Sequence, residues 1–440
     1  MSRLLGSLCI LVIAVGVQCP VNSQEQHRIF RCERAPEQET TIAVDGSSRL
    51  TEISPNHSLK HVSLLVTGRD DVSEVIASIG SARISSLELT RCTLNRESCR
   101  SISGIPGLYY LSLESCRITD NAVAAAAMDG VMTVRIWGTA LEKQGLPLKP
   151  AKVSSISLLR TEVAIEGFDL QKIKRLEIES HTKECSAALR QMTQLESLRI
   201  ARAKLTQDEI GAICKCKSLT TIEMTECEMS ADLLFESQIS SFTLYRCQLG
   251  KHRCELLKTE RLQHLDFSEC EYDDRFPFLI AGQSPNLRSL SVSDPMAEEF
   301  VLKQARNSKK LEVLEVSNAQ LTDSFFSSVE TGQLSTLSLV KCAATPRSLN
   351  MIKPSASLVE LDLSHNKVDG SFKGLGGKFP KLQGLIAQDC MLSEGDLDSL
   401  ASLPHLRWVD ISGSQHEQKA IERLRLLLKK NGGDRALLIH

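Results

Sequence analysis

Aromatic side chains make up only 4% of this 440-residue chain, with 2 Trp and 4 Tyr among them. Two aromatics close together therefore carry information, because Trp and Tyr are the residues that most often anchor interfaces. A dominant charge is also missing: 52 Lys plus Arg against 54 Asp plus Glu leave a formal net charge of −2. That balance supplies no general attraction to nucleic acid or to an anionic membrane. No stretch interleaves basic and aromatic residues as a nucleic-acid reader does, so no nucleic-acid partner is expected. Beyond an apolar run at residues 4–17, nothing is apolar enough to cross a bilayer. There is no G-x-S-x-G nucleophile motif. Cys214-Lys215-Cys216 and His252-Arg253-Cys254 have no second ligand pair at zinc spacing. The expectation is a protein without catalytic site, cofactor or metal.

What the chain does have is one apolar spacing, L-x-x-L-x-L, which returns about sixteen times at a period of roughly 20–25 residues. It runs from Leu59-Val62-Leu64 to Leu406-Val409-Ile411, and every slot is apolar. The last positions alternate apolar and polar, as in Leu111-Ser112-Leu113-Glu114, which is the period of a strand with one buried face. Helix-start signals follow: Thr119-Asp120 before an alanine-rich run at 121–128, Thr206-Gln207-Asp208 before Ile210, Thr322-Asp323 before Phe325-Phe326, and Ser393-Glu394 before Leu397. Ser, Thr and Asp serve there because their side-chain oxygens accept from orphan helix N–H groups. Each unit thus reads as strand, turn, short helix and return. A single unit cannot bury its apolar face, whereas a stack can.

Ile84-Ser85-Ser86-Leu87-Glu88-Leu89-Thr90-Arg91-Cys92-Thr93-Leu94 and Leu358-Val359-Glu360-Leu361-Asp362-Leu363-Ser364-His365-Asn366-Lys367-Val368 fit the pattern L-x-x-L-x-L-x-x-N/C-x-L. The chain resembles the leucine-rich repeat proteins, specifically secreted ones with ribonuclease-inhibitor-like or short-period bacterial-type repeats. The resemblance covers about four-fifths of the chain. It implies an α/β solenoid, a horseshoe whose parallel sheet lines the concave side and whose short helices back the convex side. The expected organisation is a signal peptide at 1–23, an N-terminal cap at 24–58, repeats at 59–415 and a capping helix at 416–440.

Residues 1–23 have the pattern of a secretory signal: Arg3, an apolar run from Leu4 to Val17, then Val21-Asn22-Ser23 before an expected cleavage at Gln24. The expected location is secreted or periplasmic, with no transmembrane segment once the signal is removed. Asn56-His57-Ser58 is a glycosylation sequon that matters only in a eukaryotic host. Fifteen cysteines would ordinarily suggest disulfides in an exported chain. However, Cys92, Cys116, Cys227, Cys247, Cys270, Cys342 and Cys390 fall in the N/C slot of a repeat, where Thr139, Thr161 and Asn366 stand in other copies. In the family that slot points inward and bonds to backbone, so these seven are expected to be buried, reduced thiols. Cys32, in the cap, is left open as a disulfide candidate. Near the end, Ile421, Leu424 and Leu428 share one side of a helical pattern over Glu417 to Lys430.

With no room for a separate catalytic domain, the candidate functional surface is the sheet face. Residues flanking the second and third slots project from it. In the early copies Tyr110, Trp137 and Leu159 project from adjoining strands, with Glu114, Arg135 and Arg160 close by, a composition typical of a protein-binding hot spot. The middle position of later copies is acidic: Glu223, Asp266, Glu315, Asp362 and Asp410, with Glu360 beside them. That secondary stripe suits a basic partner. The expected function is a non-catalytic scaffold holding a protein on the concave face. The alternatives are a rigid spacer in an envelope or matrix, and a carboxylate-based enzyme. Clustered exposed aromatics favour the scaffold over the spacer, and the lack of a nucleophile, a paired His or an enclosed pocket counts against the enzyme.

Overall fold

The apolar triplets organise the fold. In each of the copies from Ile84 to Leu406, all three slot residues are buried, none more than 5% exposed. Burying one such side chain contributes about 1.5–3 kcal/mol, so the slots form a stabilising column. The computed structural model describes residues 39–44, 61–79, 84–119, 127–141, 152–161, 165–179, 185–236, 238–273, 277–280 and 284–413. It also describes short pieces between 421 and 439. The signal-like segment, Cys32, the Asn56 sequon, most of the alanine-rich run and Leu428 lie outside the described residues.

The chain divides into two compact units, residues 1–195 and 196–440. In the first unit seven strands pair in parallel in chain order: Glu39–Val44, His61–Thr67, Ile84–Thr90, Tyr110–Glu114, Thr133–Trp137, Ser155–Leu159 and Arg175–Glu179. In the second, eleven do so, from Ser197–Ala201 through Thr221–Thr225, Ser241–Tyr245 and His264–Ser268 to Leu437–Ile439. Equivalent slots sit opposite each other, for example Leu87 with Leu111 and Leu113 with Ile136. Each unit is therefore an α/β leucine-rich repeat solenoid with one parallel strand per repeat.

Three features depart from the sequence reading. The first copy is framed two residues later than Leu59-Val62-Leu64: Leu64 faces Leu87, Val66 faces Leu89, and Leu65 rather than Ser63 stands in the middle row beside Glu88. The apolar run at 64–66 allows both frames, because a shift of two returns the same residues to the interior. At the termini, Glu39–Val44 adds a strand before the first repeat, and Leu437–Ile439 adds one after Trp408–Asp410. Ile421 and Leu424 are buried near the C-terminus as their helical spacing suggested.

The third departure is on the side opposite the main sheet. Helices stand there in many repeats, including Arg96–Ser103, Gln207–Cys214, Glu298–Asn307 and Glu394–Ala401. Thr206 and Ser393 each close a reciprocal capping box, with Glu209 and Asp396. Three successive repeats instead carry short strands, Leu233–Phe235, Cys254–Leu256 and Phe278–Ile280, paired in parallel. Their residues alternate in and out: Phe235, Cys254 and Phe278 are buried, while Leu234 and Leu279 are 45% and 44% exposed. That in-and-out alternation is the geometry of strands with one buried face. Phe242 and Phe278, 5.6 Å apart, fill the space between the two sheets.

The N/C slot links each repeat to the one before. Cys116 Sγ donates to the Leu89 carbonyl at 3.2 Å, Cys342 Sγ to Val316 at 3.2 Å and Cys390 Sγ to Leu363 at 3.1 Å. Cys92, Cys227, Cys247 and Cys270 repeat the contact at 3.4–3.5 Å. Thr139 does the same with its hydroxyl, at 3.1 Å from Leu113 O. Asn366 does more: Nδ2 donates to Leu339 O, and Oδ1 accepts from the N–H groups of Cys342 and Ala344. All these thiols are free, and six of the seven are buried; Cys270 is half-buried, against the expectation for it. Burial pushes the Cys342 thiol up to about 12, which suppresses thiolate chemistry.

The residue before the slot adopts a left-handed backbone, as at Arg91, Arg160, Arg202, Glu226, Arg246, Glu269, Lys341 and His365, with φ of 48–60°. Side chains in this conformation are strained, and the turn exacts it in repeat after repeat. Ion pairs join neighbouring repeats beside these turns: Arg202–Glu226, Arg246–Glu269 and Arg160–Glu179.

Candidate functional site

On the first unit's sheet face the register sorts the candidate residues into rows. Glu114, Trp137, Leu159 and Glu179 occupy successive positions of one row. Arg135 is in the middle row, between Ser112 and Ser157. Its guanidinium lies over the Trp137 ring, 5.7 Å from the centroid, within cation–π range. Trp137, Leu159, Glu114 and Arg135 are all half-buried, so each is seated on the sheet while leaving surface to solvent. Arg160 is exposed and pairs with Glu179 at 3.0 Å. Ser157 donates to Glu177 at 2.7 Å, fixing the neighbouring carboxylate.

Tyr110 is placed apart from these. It faces Thr133, four residues before Trp137, roughly 13 Å along a strand at about 3.3 Å per residue. Its neighbours are Tyr109, 38% exposed, and Met132, 54% exposed. The Tyr109 carbonyl accepts from the N–H groups of both Met132 and Thr133. Tyr110 therefore lies on the face near the start of its strand and Trp137 at the end of the next, while Tyr109 and Met132 are exposed just before the strands. Tyr109 and Met132 were missed from sequence because they precede the strand, at the first x of L-x-x-L-x-L, whereas the reading took only residues flanking the second and third slots. Their signal was a large apolar residue at a polar position.

In the second unit the acidic residues do not behave alike. Glu223 is paired with Arg199, its row neighbour. Asp266 accepts from Ser268 Oγ. Asp410 accepts from the Ser412 N–H and the Gln388 amide; although burial opposes it, these bonds hold its carboxyl below the usual range. Glu315 and Asp362 flank Ser338 in the middle row, with Glu360 two residues earlier on Asp362's own strand. No ion pair is described for Glu315, Glu360 or Asp362 among the described residues. Burial first, then the charges of Asp362 and Glu315, push the Glu360 carboxyl above its ordinary value.

Trp408 completes this face and was also missed. It sits opposite Gly384, which in turn sits opposite Glu360. A β-carbon on Gly384 would come within 2.2 Å of Trp408 Cζ2 and 2.3 Å of Cε2, so the glycine is what lets the indole lie across the sheet. Trp408 is half-buried, and Ile386 beside it is too. The position is the one Tyr110 holds in its repeat, immediately before the second slot.

Among the described residues no group of three or more His, Cys, Asp or Glu could hold a metal ion, and no helix is long and apolar enough to cross a membrane. No protein-family model and no curated protein sequence matches the chain. Among solved structures it is similar to one titled as the mouse RP105/MD-1 complex, at 15% identity and a TM-score of 0.49. That match covers 88% of this chain and spans about 64% of the other chain's length. A leucine-rich repeat protein of Leptospira interrogans matches at 16% identity and a TM-score of 0.44, covering 87% of this chain and 90% of that one. An internalin from Listeria monocytogenes matches at 13% identity and a TM-score of 0.36, covering 75% and 87%.

Proposed function

We propose that this protein is a non-catalytic, protein-binding scaffold of the cell exterior or periplasm that holds its partner on the sheet face of the first unit. The observation that carries the reading is the half-buried Trp137, with Arg135 over its ring and Leu159 beside it. Aromatic and Arg side chains seated on a rigid backbone lose little conformational freedom when a partner covers them, and they dominate affinity when water is excluded. Tyr110 supplies a second aromatic contact near the start of its strand, with Tyr109 and Met132 exposed just before the strands. The signal-like pattern of residues 1–23 supports an exported location.

On the second unit, Glu315, Glu360 and Asp362 form a secondary acidic contact suited to a basic partner, with Asp410 and Trp408 beside it. Charge reversal there, Asp362→Lys, slows association and changes its salt dependence if the stripe steers the partner. A rigid spacer has no need of exposed aromatics at both ends of a strand pair, which favours the scaffold.

The experiment is an affinity capture with the mature chain from Gln24 under conditions of its compartment, followed by titration of the captured protein against wild type and Trp137→Ala. The scaffold reading requires Trp137→Ala to fold normally and bind about 30-fold or more weaker. Unchanged binding removes the patch from the reading, and loss of folding would make Trp137 a structural residue.

A further inference from the structure

Repeat length varies along the second unit. Thr221 pairs with Ser241, 20 residues on, whereas Ser241 pairs with His264 and His264 with Ser289, after 23 and 25 residues. The short return before Ser240 lies beside longer returns, and the shortfall opens a groove of about 520 Å³ at the edge where the chain enters the strands. Thr220 and Ser240 form part of the lining, with Gln238, Gln263, Asn286 and the pair Glu260–Arg261.

Much of this lining is held in place. The Thr220 carbonyl accepts from the N–H groups of Ser240 and Ser241, and the Ser240 carbonyl from those of Gln263 and His264. The hydroxyls of Thr220 and Ser240 donate to the carbonyls of Glu196 and Thr220. Asn286 is clamped from both sides, donating to the Glu260 carbonyl at 2.6 Å and accepting from Lys310 Nζ at 2.7 Å. Among the described residues, no hydrogen bond to the protein engages the side chains of Gln238, Glu260, Arg261 or Gln263. They present two amides, one guanidinium and one carboxylate.

We infer that this groove is a binding site for a neutral carbohydrate. Its available groups sum to zero charge and mix donors with acceptors. A sugar's hydroxyls each donate and accept, so neighbouring hydroxyls can be read by an amide, a guanidinium or a carboxylate. An anion would meet Glu260 and a cation Arg261. Every lining residue is of a polar type, and the apolar stems of these side chains give the non-polar face of a sugar ring a surface to lie on. The volume falls within the ~300–1,000 Å³ range of small-molecule sites. Because the groove is open, affinity for a free disaccharide should be modest, with a dissociation constant on the order of 1 mM. The inference does not depend on the first unit's protein-binding patch.

The test is saturation-transfer NMR and titration of the full chain with maltose, cellobiose and N,N′-diacetylchitobiose. At least one should bind, and the double substitution Arg261→Ala with Gln263→Ala should weaken it tenfold or more with an unchanged circular dichroism spectrum. Both residues are exposed, so folding should be spared. Trp137→Ala should leave sugar binding unchanged, which separates this site from the protein-binding patch. A second arm titrates a glycoprotein bearing neutral glycans before and after enzymatic deglycosylation. Stronger binding of the native glycoprotein than of the free disaccharides identifies a protein-borne glycan as the source; comparable binding identifies free sugar. The inference is overturned if none of the sugars binds or if the double variant binds them equally.

Discussion

The two sheet faces are built on one backbone plan and carry different chemistry. The first unit presents Arg135 over Trp137, with Tyr109 and Met132 exposed just before the strands. The second presents Trp408 across Gly384 beside carboxylates that have no described ion pair. Beneath both, the slots are filled alike and the same slot-to-carbonyl contacts recur, Cys116 to Leu89 and Cys342 to Val316. The difference teaches that outward residues are free to diversify because inward ones carry the stability. A substitution should therefore change recognition or folding, seldom both.

The largest test of that separation is Trp137→Ala, which should cost about 2 kcal/mol or more of partner binding by titration and little thermal stability. Next, Gly384→Val should break it in the second unit, where an outward residue is packed against the backbone. The new side chain must displace the Trp408 ring, at a cost of about 1–3 kcal/mol in denaturant unfolding. Unchanged stability there would mean that Trp408 swings off the sheet without penalty.

Smaller effects sharpen the inward side. Cys227→Leu should destabilise by about 1–3 kcal/mol, because it overpacks the slot and leaves the Ile200 carbonyl without its slot donor. Cys227→Asn should be close to neutral, since Asn366 already fills an equivalent slot. A Cys227–Cys247 disulfide found by mass spectrometry would overturn the reduced-slot reading.

The smallest expected effect is electrostatic. Glu360 has a folded-state pKa above its unfolded value, so the folded state binds the proton more tightly. Stability from this group is then greatest below the unfolded value near 4.5 and falls as pH rises through the raised one. Glu360→Gln should accordingly stabilise slightly at neutral pH and lose that advantage in acid, read from melting temperature against pH.

The legible part of this fold was the part that repeats. Slot residues such as Leu87, Leu198 and Leu337 were identifiable because burial imposes the same demand in every copy. The start of the first copy was not, because strands have period two and Leu64-Leu65-Val66 satisfies either frame. The strands at Leu233–Phe235 and Phe278–Ile280 were hidden because a three-residue apolar run does not distinguish a strand from a helix turn. Of the candidate site, Trp137, Arg135 and Leu159 were readable as neighbours. Tyr110's separation from them required the register, and Trp408 required knowing that Gly384 leaves room for an indole. The polar groove depends on loop lengths, which alignment of the slots alone does not weigh.

The direction of the slot contacts also bears on how such a chain can change length. Each slot donor reaches back one repeat, to a carbonyl that any other slot donor could use. Cys342 and Asn366 are 24 residues apart, and each follows a residue already in the left-handed conformation, Lys341 and His365. Excising residues 342–365 would join Lys341 to Asn366 and hand Val316's carbonyl from a thiol to an amide. A shorter chain made this way should still unfold cooperatively by circular dichroism, whereas removing half as many residues should not. Exchange of slot donors thus proceeds by whole modules, while the returns between slots vary in length, from 20 to 25 residues between paired strand starts in the second unit.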